Sequence, residues 1–257
     1  MTTRILTVMI LGLCLVTAPA LADWGHPVKW DQLNPEGPPS AWAAVSRIDP
    51  DVGAATSADD FACRERGWIT EVEFAGWSVY EEKILGFQIA FWNDVAATPE
   101  DESHPGELLY AHTFTSWEQM GDALPYTYKI NMPRDFWFEQ HGSADEAVVY
   151  WISIQAVFPS DGVWNNWGWS FRDRYDEPWG DDCAFESDDH EPWWNRGWPT
   201  ETGDPDLYDG PFPDGWWKSA DMAFRLSGIP IPEPGVFALA GLGLLALLRR
   251  RKTMSGR

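Results

Sequence analysis

Hydrophobic and polar residues alternate along most of the chain, which is the pattern of half-buried β-strands. The longest alternating run is 146–158, where Val148, Tyr150, Ile152 and Ile154 fall on one face. Segments 85–91 and 126–132 repeat this pattern, and no stretch keeps helical spacing over three turns. The pattern therefore predicts an all-β chain.

Five further segments continue the alternation and are separated by turns rich in Gly, Pro and Asp. They are 69–77, 107–115, 136–138, 163–171 and 221–226. Eight short strands without intervening helices predict an antiparallel two-sheet sandwich of jelly-roll type spanning 59–228. Two stretches lack strand character: 23–58 is a Pro-rich extended lead-in, and 172–220 is a long Trp- and Asp-rich loop. Loops of that length are usually functional or disordered, so we expect the site there.

Both ends of the chain carry export signals. Arg4, the apolar segment 5–16 and Ala20-Leu21-Ala22 have the order of a secretory signal peptide, which spans 1–22. At the other end, segment 229–257 contains Pro232, Glu233 and Pro234, an apolar run at 236–248, and a basic tail that begins with Arg249, Arg250 and Arg251. Thirteen apolar residues make a helix of roughly 20 Å, which is short for a permanent membrane span.

This C-terminal order resembles the PEP-CTERM sorting signal of Gram-negative bacteria that produce exopolysaccharide. The resemblance implies an exosortase as partner, transient anchoring in the inner membrane, and release of the body to the cell surface or extracellular matrix. Pro232, Glu233, Pro234 and the arginines 249–251 would carry that recognition. The alternative is a plain C-terminal anchor that is never cut.

The body is similar to β-sandwich domains of no established chemistry that precede such signals. Two short motifs carry this second resemblance: Ala58-Asp59-Asp60-Phe61 ahead of the first predicted strand, and residues 221–226 at the last one. The resemblance implies a fold rather than a function.

Charge narrows the classes of partner. Segment 23–233 holds all 40 acidic residues and 12 of the 18 basic ones, so its formal charge is −28. A field of this sign repels nucleic acid and attracts cations, so nucleic-acid binding is excluded as the main role. With 44% hydrophobic residues, the chain is too apolar for a disordered acidic tail.

The mature body retains two cysteines, Cys63 and Cys183. In an oxidising compartment we expect them to form a disulfide, and two buried thiols are the alternative.

Tryptophan is the most distinctive residue of the body, and nine of the 18 Trp lie between Trp164 and Trp217. A Trp ring stacks on sugars as readily as it packs in a core. We expect Trp167 and Trp169 to be core residues. The candidate glycan-binding side chains are Trp164, Trp193, Trp194, Trp198, Trp216, Trp217, Asn166 and Asn195. The alternative is that these Trp cover a sheet face.

Clustered acidic residues are the second candidate site. They are Asp181, Asp182, Asp188, Asp189, Asp204, Asp206 and Asp209. Closely spaced Asp can ligate Ca²⁺, although 204–210 departs from the EF-hand spacing and a solvated acidic surface is the alternative. The G-x-S-x-G and H-E-x-x-H motifs are missing from the sequence.

The sequence therefore predicts an exported, non-catalytic protein that associates with exopolysaccharide through exposed Trp, with calcium as its only candidate cofactor. A structural matrix protein without ligand and a matrix-acting glycoside hydrolase are the alternatives, since a hydrolase needs only two suitably spaced carboxylates.

Overall fold

The computed structural model describes residues 27–33, 43–78, 83–98, 103–122, 124–163, 165–172, 183–187, 190–195 and 221–231. These residues form two β-sheets that pack face to face around an aromatic core. The strands are β1 (Val28–Asp31), β2 (Ala43–Val45), β3 (Arg47–Asp49), β4 (Gly53–Cys63), β5 (Gly67–Ser78), β6 (Gly86–Val95), β7 (His104–Phe114), β8 (Glu118–Met120), β9 (Tyr126–Asn131), β10 (Phe138–Gln140), β11 (Val148–Val157), β12 (Trp167–Ser170), β13 (Ala184–Ser187), β14 (His190–Asn195) and β15 (Phe224–Pro230).

Sheet 1 has the order β1-β15-β5-β12-β2, and the long strand β5 also pairs with β9 and β10. Strand β8 adds to the outer side of β9. Sheet 2 has the order β14-β13-β4-β3-β11-β6-β7, so β7 is an edge strand. The described pairings are antiparallel except for that of β3 with β11.

The core forms because alternate residues of each sheet point inward. In sheet 2, Ile154 lies opposite Ile89, and both are fully buried. Phe74 of sheet 1 meets Phe87 of sheet 2 edge-on, with ring centroids 5.0 Å apart. Burial of one such aromatic or aliphatic side chain is worth about 1.5–3 kcal/mol, so this layer supplies the main stabilisation of the sandwich.

The prediction of an all-β, two-sheet body is confirmed. The eight predicted segments contain or overlap β5, β6, β7, β9, β10, β11, β12 and β15. Leu85, the first residue of segment 85–91, lies just before β6 and is 53% exposed. Residues Arg134–Phe136 form a 3₁₀ turn, so only the end of segment 136–138 is a strand. The jelly-roll connectivity stays a prediction.

The expectation that 23–58 and 172–220 lack strands is wrong. The first stretch contributes β1, β2, β3 and the start of β4, and the second contributes β13 and β14. Strand β4 was hidden because it is buried on both faces and is built largely from Ala, Ser, Thr and Asp. Such a strand has little hydrophobic contrast between its two faces, which is the signal that alternation detects.

The disulfide prediction is also wrong, because Cys63 and Cys183 are both buried thiols. The reason is register: Ala184 pairs with Ala58, which places Cys183 beside Asp59, four residues from Cys63 along β4. Four residues of strand span about 13 Å, whereas disulfide-linked Cα atoms lie within about 7 Å. The Sγ of Cys63 donates to Oε1 of Gln140 instead, at 3.1 Å.

The predicted signal peptide, the sorting motif 232–234 and the apolar helix 236–248 lie outside the described residues. Among the residues that the structure describes, no helix is both long and apolar enough to cross a bilayer.

Candidate functional site

An open groove lies where the edges of the two sheets face each other. Its lining comes from the end of β7, the connection to β8, and the end of β9. Strand β8 pairs with β9 only as far as Lys129, whereas β9 continues to Asn131. The groove has a volume of about 320 Å³, which is at the small end of the range for ligand sites.

Aromatic side chains of His112, Phe114 and Trp117 contribute to the lining of the groove. The ring of His112 stacks on Phe136, with centroids 3.8 Å apart, and meets Phe114 edge-on at 4.8 Å. Trp117 packs edge-on against Phe87 of the core at 5.2 Å and remains partly accessible. Packing beneath each ring therefore fixes its orientation before any ligand arrives.

Polar side chains surround these rings. Thr113, Thr115 and Ser116 supply hydroxyl groups to the lining. The amide of Asn131 donates to Oε1 of Glu118 across β9 and β8, at 3.4 Å. The rim thus presents donors and acceptors beside aromatic surface.

Lys129 lies in the interior of strand β9 and contributes a positive side chain to the lining of the groove. Its Nζ lies 2.8 Å from Oε2 of Glu71 and 3.4 Å from Oε1 of Glu73, both on the adjacent strand β5. The hydrogen bond to Glu71, with the charges of both carboxylates, raises the pKa of Lys129. This ammonium is held in place by protein carboxylates.

Such an arrangement suits the binding of a small polar ring better than covalent chemistry. A ring face with C–H groups stacks on an aromatic side chain, and its hydroxyls bond to Thr, Ser and Asn. Glu118 is the carboxylate among the described lining residues.

A second polar feature lies inside the sandwich, where the two short motifs found in the sequence meet. Oδ2 of Asp59 accepts the backbone N–H of Met222 at 2.7 Å and the side-chain amide of Gln32 at 3.4 Å. Oδ1 accepts the N–H of Asp60 at 3.1 Å. We call Asp59, Gln32 and Met222 the junction, since they join β4 to segments near both ends of the domain.

Burial in the junction makes the ionised form of Asp59 unfavourable. Asp59 is fully buried, and this burial raises its pKa well above 3.8, helped by the negative charges of Asp221 and Asp60. A buried carboxyl beside a second acid favours the protonated form. The junction therefore holds a proton where an exposed Asp would have lost it.

The predicted core positions of Trp167 and Trp169 are confirmed, since both are fully buried. The other candidate Trp fall largely beyond what the structure describes. Residues 164, 198, 216 and 217 lie outside the described residues, and Trp193, Trp194 and Asn195 are described only as backbone of β14.

Asn166 is described, and it is already engaged. Its Oδ1 accepts a hydrogen bond from Nη1 of Arg47 at 3.1 Å, and its carbonyl accepts from the Ser78 hydroxyl at 2.7 Å. Its predicted role in glycan binding stays a prediction.

The candidate calcium ligands also lie outside the described residues; they are Asp181, Asp182, Asp188, Asp189, Asp204, Asp206 and Asp209. Within the described ranges, no group of three or more His, Cys, Asp or Glu side chains is placed to hold a metal ion. The calcium site stays a prediction.

Sequence reasoning missed the groove. Segment 112–118 reads His-Thr-Phe-Thr-Ser-Trp-Glu, in which aromatic and hydroxyl residues alternate as far as Thr115. We interpreted its first part as an ordinary strand because the alternation fits one. The signal that could have identified the groove is that hydroxyl and aromatic residues continue past the strand end at Phe114 into the connection to β8.

Comparison with known proteins gives two matches along the chain. The model of a family described as a domain of unknown function (DUF7901) matches residues 28–227, and the PEP-CTERM protein-sorting motif matches residues 230–252. No curated protein and no solved structure matches the chain. The motif implies export to the envelope or surface of a Gram-negative bacterium and processing by an exosortase. Because the first match covers most of the 257 residues, the chain belongs to the DUF7901 family and ends in a PEP-CTERM sorting motif.

Proposed function

We propose that the exported body is a non-catalytic protein of the cell surface or extracellular matrix that binds exopolysaccharide in the groove at the open edge of the sandwich. The observation that carries this proposal is the fixed aromatic surface of His112 and Trp117 beside hydroxyl and amide groups. The sorting motif supports it, because it directs the body to the envelope, where polysaccharide is at hand.

The groove favours binding over hydrolysis. Glycoside hydrolases use two carboxyl groups roughly 5–10 Å apart, one on each side of the bond that breaks. The described lining contributes Glu118, while Glu71 and Glu73 behind the rim are bound to Lys129. Polysaccharide bound here would be retained rather than cut.

The test is affinity electrophoresis of the full chain in neutral detergent, in native gels containing exopolysaccharide purified from the producing bacterium. We expect retardation of the wild type, and Trp117→Ala should weaken it roughly tenfold, taking as a guide the stacking of a nucleic-acid base on an aromatic side chain, which is worth about 1–3 kcal/mol. Trp92→Ala is the matched control, because Trp92 lies on the outer face of sheet 2 and donates to Ser153.

Folding of each variant is checked by thermal unfolding. Equal retardation of the Trp117 and Trp92 variants would remove the groove as the binding site. Identical migration of the wild type with and without polysaccharide would contradict binding and leave the purely structural role as the explanation.

A further inference from the structure

We propose that the groove selects neutral sugar units and rejects uronic acids and other anionic sugars. This inference rests on the proposed function, since it names the class of glycan that the same groove takes. It follows from where the positive and negative side chains around the groove are bound.

The positive charge nearest the groove is already neutralised. Lys129 has Glu71 at 2.8 Å and Glu73 at 3.4 Å, so its ammonium is shared between two protein carboxylates. The raised pKa of Lys129 has the same cause. A sugar carboxylate could take only the remaining N–H of this ammonium, and it would then lie beside two carboxylates that are bound to the same cation.

The next cation along the sheet is bound in the same way. Nη1 of Arg225 lies 3.0 Å from Oε2 of Glu73, and its Nε lies 3.0 Å from Oδ2 of Asp31. Lys129 and Arg225 are thus each shared between two protein carboxylates.

Carboxylates outnumber cations on this face of sheet 1. The local charge is negative, because four carboxylates accompany two cations among these described side chains. The carboxylates are those of Glu71, Glu73, Asp31 and Glu118, and the cations are Lys129 and Arg225. The whole exported body, with a formal charge of −28, adds a repulsive field of the same sign. A neutral sugar meets neither penalty and keeps the stacking and hydrogen-bonding surface.

The experiment separates the producer's exopolysaccharide by anion exchange into a neutral flow-through and an acidic, salt-eluted fraction. The full chain is then run in gels containing equal masses of each. We expect the neutral fraction to cause the larger retardation, by roughly tenfold or more at low ionic strength. Adding 0.3 M NaCl should leave retardation by the neutral fraction unchanged. It should raise retardation by the acidic fraction, because screening weakens the repulsion between like charges.

Stronger retardation by the acidic fraction would overturn the selectivity and leave the proposed function standing. Failure of both fractions to shift the chain would overturn the two together.

A charge-reversal variant tests whether the selectivity is local. Glu118→Lys should raise the ratio of acidic to neutral retardation by roughly two- to fivefold, which is the effect expected of one charge pair at the surface. Glu107→Lys is the matched control, because Glu107 is exposed on β7, seven residues before Phe114, and makes the same change in net charge. An equal rise in both variants would show that only the overall charge matters and would overturn the local selectivity.

Discussion

The junction around Asp59 and the groove beside Trp117 border the same aromatic core and treat polar groups in opposite ways. In the junction, a fully buried carboxyl group is surrounded by donors from Gln32, Asp60 and Met222. In the groove, hydroxyl and amide groups border a partly accessible Trp ring. Polar groups that are enclosed by the chain connect its segments, whereas those at the open edge stay accessible.

This difference separates stability from binding in a testable way. Changes at the junction should alter unfolding and leave polysaccharide retardation as it is. Changes in the groove should alter polysaccharide retardation and leave unfolding as it is.

The largest effect is expected from Asp59→Ala, which leaves the N–H of Met222 and the amide of Gln32 buried without their acceptor. We expect the free energy of unfolding to fall by about 2–4 kcal/mol. Urea unfolding measures it, with Asp145→Ala as an exposed control. A loss below 1 kcal/mol would mean that the junction does not hold the domain together.

The second effect is a dependence of stability on pH. The folded chain keeps the proton of Asp59 above pH 3.8, where the unfolded chain has lost it, because the pKa is raised by burial and by Asp221. The contribution is therefore fully present below about pH 4 and is lost as pH rises through the folded pKa. Each unit of pKa difference is worth about 1.4 kcal/mol.

Asp59→Asn should remove this dependence and keep an oxygen acceptor for Met222. Unfolding free energies from pH 4 to pH 8 are compared between wild type, Asp59→Asn and Asp145→Asn, and the last of these corrects for general repulsion among acids. Parallel curves for all three proteins would show that the proton of Asp59 does not contribute.

A smaller effect is expected at the groove from His112→Phe. Phenylalanine preserves the stack on Phe136 and removes the ring nitrogens. We expect retardation by polysaccharide to weaken by roughly two- to tenfold, as for one lost hydrogen bond, with a melting temperature within about 2 °C of wild type. Unchanged retardation would limit the role of His112 to packing.

The smallest effect concerns the two thiols on the core side of sheet 2. Burial raises the pKa of Cys63 to about 12, so this thiol should react slowly while the protein is folded. Thiol titration of the unfolded, unreduced chain without its signal peptide should find two reactive groups, and reductant should leave the melting temperature unchanged. A drop in melting temperature on reduction would contradict two free thiols and indicate a disulfide.

Sequence patterns predicted the elements whose two faces differ. Strand β11 was identified because Ile152 and Ile154 alternate with polar residues such as Ser153. Strand β4 was missed because Asp59 and Asp60 interrupt the hydrophobic pattern although both are buried. Alternation reports hydrophobicity, and it cannot show that a carboxylate is enclosed by donors that lie far away in the sequence.

The candidate site shows the same limit in another form. Trp density directed attention to 172–220, whereas the groove uses the single Trp117 of its region. What makes Trp117 a candidate is its neighbours: Phe87 beneath it, and Lys129 and Asn131 from a strand that pairs elsewhere in the sheet. Such a grouping exists only after the strands have paired.

Strand β15 has a consequence for the processing of the C-terminal tail. It is paired on both sides, with β1 and β5, and the next residue, Ile231, still donates its N–H to the carbonyl of Arg66 at 2.9 Å. Pro232 of the sorting motif follows directly, so no spacer residue separates the last hydrogen bond of the body from the tripeptide. An exosortase that acts near this tripeptide meets either the finished end of sheet 1 or a chain whose last strand is still unpaired. Closure of sheet 1 and processing of the tail thus meet at the end of a single strand.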